Sequence, residues 1–170
     1  MYVKIKKYGN CTLLVRFFMF IGLWRIAWKL EKWIDNRRVT VKVDDYDTWS
    51  LDVTLAEIIL PSLIRLKKLQ NGAPVVDFED VPEHLRPPKE EWEYYQNNWM
   101  EDTDKHFHDR WDWIVDEMIF AFNSCITDWE EQCYEDGKFS EEGYEKEKEI
   151  QARVDNGIRL FGKYYRALWT

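Results

Sequence analysis

Phe107, Trp111, Ile114, Met118, Ala121 and Cys125 recur at alternating spacings of four and three. That rhythm follows the turn of an α-helix and puts all these apolar side chains on one face. Such a face must be covered by something. The chain supplies other helices to cover it. Ser140, followed by Glu141 and Glu142, reads as the start of a last helix whose stripe is Ile150, Val154, Ile158, Phe161, Tyr165 and Leu168. Ser50 is an expected N-cap, with Asp52 in the first turn, for a helix carrying Leu55, Ile58, Ile59, Leu63, Leu66 and Leu69 and kinked at Pro61.

Before these helices the pattern changes. Tyr2 to Lys7 alternates apolar and basic residues, and Val39 to Val43 is β-branched with apolar residues at every second position, so each reads as a short strand. Gly9-Asn10 breaks the first strand before a helix running to about Ile34, and Asp35-Asn36-Arg37-Arg38 reads as a turn. Residues 73–104 hold four of the five prolines and are expected to be a long ordered loop over the surface. A further turn is expected at Glu135-Asp136-Gly137. The resulting expectation is a mainly α (α+β) fold: one compact helical domain over 1–170, with a small accessory β element in a strand–helix–strand part at 1–41. A chain of this length buries roughly 70% of its unfolded surface, so it needs no staple.

Net charge −8 argues against general affinity for a nucleic-acid polymer, because counterion release needs a concentrated cationic face. Cys11, Cys125 and Cys133 are too few and scattered for a disulfide framework, which points to a reducing, cytoplasmic setting. The most hydrophobic stretch lies within Thr12 to Trp28, but Arg16 and Arg25 bracket only eight apolar residues. A membrane span needs about 20. A packing or partner-facing helix is therefore expected there, with interfacial membrane attachment as the lesser alternative that its basic flanks support.

Several residue groups have the chemistry of a site. Arg159, Lys163 and Arg166 fall at i, i+4 and i+7, beside Tyr164 and near Trp169, a combination that suits phosphates and a stacked base. The plainer reading is that these cations answer the helix C-terminus and pair with acids. Asp109, Asp112 and Asp116 share one side of their helix and are read as ion-pair partners for the last helix rather than as metal ligands. His106 and His108 diverge by roughly 200° on a helix and cannot chelate one ion. His84 and the cysteines lack zinc spacing, so no metal or other cofactor is expected. The segment Asp44 to Asp52 concentrates carboxylates where a strand meets a helix, with capping the plainer role and acid–base or metal chemistry the alternative. There is no phosphate-binding glycine loop, nucleophile elbow or metalloprotease helix.

Val43-Asp44-Asp45-Tyr46-Asp47-Thr48-Trp49-Ser50, Asp80-Val81-Pro82, Arg110-Trp111-Asp112-Trp113 and the run Arg159 to Arg166 occur in order. Together they resemble a family of small tailed-phage proteins of T-even-like and cyanophage type. The likeness covers about Lys42 to Trp169, and those relatives often carry a longer tryptophan-rich amino-terminal region. The resemblance implies a phage source, and no activity transfers with it. Small acidic phage proteins without catalytic motifs often disable a host system. The leading expectation is therefore a homo-oligomeric anti-defence protein that sequesters a small nucleotide-derived signal without cleaving it. Its candidate ligand-binding residues are Arg159, Lys163, Arg166, Tyr164, Trp49, Trp111, Arg110 and Asp47. A solvated, salt-bridged last helix would count against it. The runner-up is an interaction or virion-associated protein that grips its partner through the Phe17 to Trp33 helix. A metal-dependent phosphodiester hydrolase on Asp44, Asp45, Asp47 and Asp109 stands third.

Overall fold

The computed structural model describes residues 2–5, 13–34, 39–98, 103–135 and 138–169. They form a mainly helical fold with short strands, arranged as two compact units, residues 1–50 and 51–170. The expected break at Gly9-Asn10, the turn at Asp35 to Arg38, Cys11, and Asp136-Gly137 lie outside the described residues.

In the first unit, β1 (Tyr2–Ile5) pairs antiparallel with β2 (Val39–Lys42), Tyr2 opposite Lys42 and Ile5 opposite Val39. This is the small β element that the alternation predicts. The helix expected between the strands is two helices, α1 (Leu13–Phe20) and α2 (Trp24–Ile34). The cause of the break is local. Gly22 adopts φ +77°, a left-handed conformation that a side chain disfavours. Around it, Gly22 N–H donates to Met19 O (3.2 Å) and Leu23 N–H to Phe18 O (3.0 Å), the paired bonds of a Schellman helix stop. A 3-10 turn at Asp45–Thr48 follows β2.

The second unit is built on α5 (Phe107–Ser124), which packs against both α3 (Leu51–Leu69) and α6 (Glu141–Tyr164). The four-and-three spacing in α5 is borne out, since Trp111, Ile114, Met118 and Ala121 are all buried. The α3 helix starts directly after Ser50, runs through Pro61 as one element, and buries Ala56, Leu60 and Leu63. The α6 helix starts where expected, with Ser140 Oγ accepting the Gly143 N–H at 3.0 Å.

The buried face of α6 differs from the expected one. Val154, Gly157, Leu160 and Tyr164 are buried, whereas Ile158 and Tyr165, placed on the core stripe by their spacing, are exposed. Gly157 explains the shift. A Cβ there would sit 2.4 Å from Glu117 O and 2.5 Å from Ala121 Cβ, so the two helices meet backbone to backbone at this point. That contact turns 157, 160 and 164 inward.

Between α3 and α5 the chain is irregular, as expected, but it is not confined to the surface. Val76, Phe78, Val81 and Leu85 are buried, joining the α3–α5–α6 core or bordering it. A short helix, α4 (Trp92–Asn97), also falls inside the stretch expected to be loop. A minimal hairpin of β3 (Tyr134–Glu135) and β4 (Lys138–Phe139) precedes α6.

Candidate functional site

The cations of α6 do lie together, and acids of the irregular stretch meet them. Asp80, with its side chain 6% exposed, takes Arg159 Nη1 at 2.8 Å on one oxygen and Lys163 Nζ at 2.5 Å on the other. Lys163 also reaches Asp77 at 2.5 Å. Tyr164 completes the group. Its hydroxyl donates to Asp80 Oδ2 (2.7 Å) and accepts the Asp77 N–H (3.0 Å). Burial opposes ionisation of Asp80, but the bonds from Lys163, Tyr164 and Arg159 outweigh it and hold the carboxyl below its usual range. Burial, reinforced by Asp80, pushes the Tyr164 hydroxyl well above its ordinary value. Lys163 is also raised, because its bonds to Asp77 and Asp80 overcome the cost of burial.

The structure places each of the expected site residues as follows. Arg159 and Lys163 are engaged in ion pairs, the condition that counts against a phosphate grip. Tyr164 and Trp111 cannot stack on a ligand in this arrangement, being 8% and 1% exposed and packed edge to face at 6.0 Å. Arg110 is 2% exposed and serves as an internal tie: it grips Asp104 through both terminal nitrogens (2.8 and 2.5 Å) and donates to Leu85 O. Arg166 is exposed, with no ion pair among the described residues. Asp47 and Trp49 belong to the other unit. There Asp47 has the plainer role, accepting the Asp44 N–H at 2.8 Å in a capping box, while Trp49 is 89% exposed.

The aspartates of α5 also choose other partners than expected. Asp116 pairs with Lys67 of α3 at 2.5 Å, Asp112 accepts from Gln70, and Asp109 faces His106 at 2.9 Å. It is Glu117 that joins α5 to α6, gripping Arg153, whose guanidinium also lies 3.8 Å from the centre of the Phe120 ring. No group of three or more metal-ligating side chains occurs among the described residues.

Two open grooves were not legible in the sequence. One of about 610 Å³ lies between the end of α5 and α6 and is lined by Phe120, Asn123, Trp129, Lys146, Glu149 and Arg153. The other, about 550 Å³, brings His84 and His106 together with Arg86, Lys105, Tyr95 and Glu91. Their lining residues come from separate neighbouring segments, 120–132 with 146–153 and 84–95 with 103–106, so no single spacing signals them.

Among the described residues, exposed apolar side chains are concentrated in the first unit, at the turn between α1 and α2. Phe17 is 58% exposed, Phe20 91%, Trp24 65% and Trp28 61%, with Ile21 and Leu23 also exposed. Scattered apolar residues on a surface are ordinary, whereas a contiguous exposed run of this kind is not. The sequence expectation of a partner-facing segment falls on these residues. The side chains beyond Lys29 in α2, Trp33 among them, lie outside the described residues.

No family model, curated protein or solved structure matches the chain. No described helix is long and apolar enough to cross a membrane.

Proposed function

We propose that this chain is a docking protein, whose helical second unit is a scaffold and whose α1–α2 hairpin engages a partner surface. One observation carries the reading: Phe17 to Trp24 is an uninterrupted apolar run, and Phe17, Phe20 and Trp24 in it are more than half exposed. Burying that surface on a partner recovers about 25 cal/mol for each Å² removed from water, a gain the chain alone leaves unrealised. The likeness of residues 42–169 to small tailed-phage proteins supports a phage source, where a small docking protein would engage a host or virion component. The test is gentle fractionation of cells producing the full chain. The native protein is expected in large assemblies or with membranes, and Phe20→Ser/Trp24→Ser is expected free; an identical distribution of the two would sink the reading.

A second reading keeps the nucleotide-derived ligand and moves it to the groove between α5 and α6. What favours it is the pairing of Trp129 and Phe120 with Lys146 and Arg153 around about 610 Å³, a size suited to a small ligand. Against it, Arg153 is already gripped by Glu117. Calorimetry with cyclic dinucleotides and ADP-ribose decides the matter. Heat that disappears in Trp129→Ala supports the sequestering role, and no heat from folded protein removes it.

A further inference from the structure

The charges of the chain are divided very unevenly. The first unit, residues 1–50, contains ten lysines and arginines against five acids, Glu31, Asp35, Asp44, Asp45 and Asp47, whereas residues 51–170 contain fourteen cations against twenty-seven acids. The acidic balance of the whole protein therefore conceals a basic first unit. That basic unit is also the one bearing the exposed aromatics. Arg16 stands immediately before the apolar run, Arg25 and Lys29 after it, and all three are exposed.

Resting on the docking reading of this hairpin, we infer that its partner is an anionic phospholipid surface. Phe20 and Trp24 enter below the headgroups, while Arg16, Arg25 and Lys29 meet the lipid phosphates. Three features fit this occupant. First, Phe20, Ile21, Leu23 and Trp24 cluster at the turn, where an apolar tip can enter hydrocarbon while longer basic side chains reach back to the interface. Second, the N–H groups of the turn at positions 21 to 23 are bonded within it. The N–H groups of Ile21, Gly22 and Leu23 donate to Phe17, Met19 and Phe18 carbonyls at 3.0 to 3.2 Å, so they carry no unmet hydrogen bond inward. Third, tryptophan favours the boundary between headgroup and acyl chain, and cations are drawn to the negative potential of anionic lipid. The eight-residue α1 is about 12 Å long, enough to insert and too short to span.

A single-stranded nucleic acid would also attract the cations. It fits less well, because Phe17 to Trp24 offers no cation or side-chain donor apart from the indole of Trp24, and bases give Ile21 and Leu23 nothing to bind.

The experiment is co-sedimentation of the full chain with vesicles of phosphatidylcholine alone or with about a third phosphatidylserine. Binding is expected to the anionic vesicles and to fall about tenfold or more on neutral vesicles or in about 0.5 M salt. Phe20→Ser/Trp24→Ser, confirmed as folded by circular dichroism, is expected to lose about tenfold or more, since both side chains are already exposed and not part of a core. Arg25→Gln/Lys29→Gln is expected to weaken binding to anionic vesicles only. Folded native chain that ignores anionic vesicles overturns the inference, as does vesicle binding indifferent to Phe20 and Trp24, or a preference for single-stranded oligonucleotide over vesicles. If vesicles fail but cell fractionation still separates native from variant, the lipid inference falls and the docking reading stands. If fractionation also shows no difference, both fall.

Discussion

Asp80 is the residue on which the inward-facing end of α6 depends. It is nearly buried, and its charge is tolerated because Arg159, Lys163 and Tyr164 converge on it. Removing the charge leaves those groups facing one another, so Asp80→Asn is expected to destabilise the protein at neutral pH by on the order of 2 kcal/mol, read from chemical denaturation. The pH dependence follows from the direction of each shift. A carboxyl held below its unfolded value stabilises fully above that value, about 3.9, and its contribution is lost as pH falls through the folded value. The native protein is therefore expected to lose stability below about pH 4 more steeply than Asp80→Asn. Tyr164 and Lys163 are raised, so their contribution is present below about pH 10 and declines as pH rises beyond it. The i, i+4, i+7 cations could be read directly from the sequence, including their plainer role as ion-pair partners. Which acids they meet could not, because Asp77 and Asp80 lie some eighty residues earlier and only the fold brings them close.

Among the elements, two glycines decide how helices meet and end. At Gly157 a methyl group would strike the backbone of Glu117, which cannot retreat as a flexible side chain would. Gly157→Ala is expected to cost more than about 2 kcal/mol and to lower the melting temperature. Gly162, on the same helix with nothing within 4 Å of an added Cβ, provides the contrast. Gly162→Ala is expected to stabilise by about 0.5–1 kcal/mol, because alanine is the better helix former. Equal effects at the two positions would contradict the close crossing. Gly22→Ala, at φ +77° with open space around it, is expected to cost about 1 kcal/mol locally. Faster amide exchange over residues 13–34, with the second unit unchanged, is the readout. The helix of α5 was legible because apolar residues recur along it at a regular interval, although Arg110 and Glu117 are buried beside them. The face of α6 was read from large apolar residues, a rule that passes over Gly157, although glycine is what lets the helices touch. The same rule joined α1 and α2 across Gly22.

For the whole molecule, the mainly helical fold and the β1–β2 pair followed from periodicity, while both grooves depended on how separate neighbouring segments fold against each other. The apolar run from Phe17 to Trp24 was visible from the start, but its exposure was not, since a run of this length suits a buried helix equally well. Net charge gave a misleading view of the first unit, because a total of −8 averages a basic segment with an acidic remainder. On the proposed reading, scaffold and docking surface divide between the two units: Lys67, Arg110, Arg153, Arg159 and Lys163 of the second unit are tied to acids, while Phe17, Phe20 and Trp24 of the first are exposed. The most direct test places a photo-reactive phenylalanine analogue at Phe20 and, separately, at Tyr144, which is exposed on α6. After illumination in cells, cross-links to lipid or to a defined partner are expected from position 20 and not from position 144. Cross-linking from position 144 with none from position 20 would contradict the account.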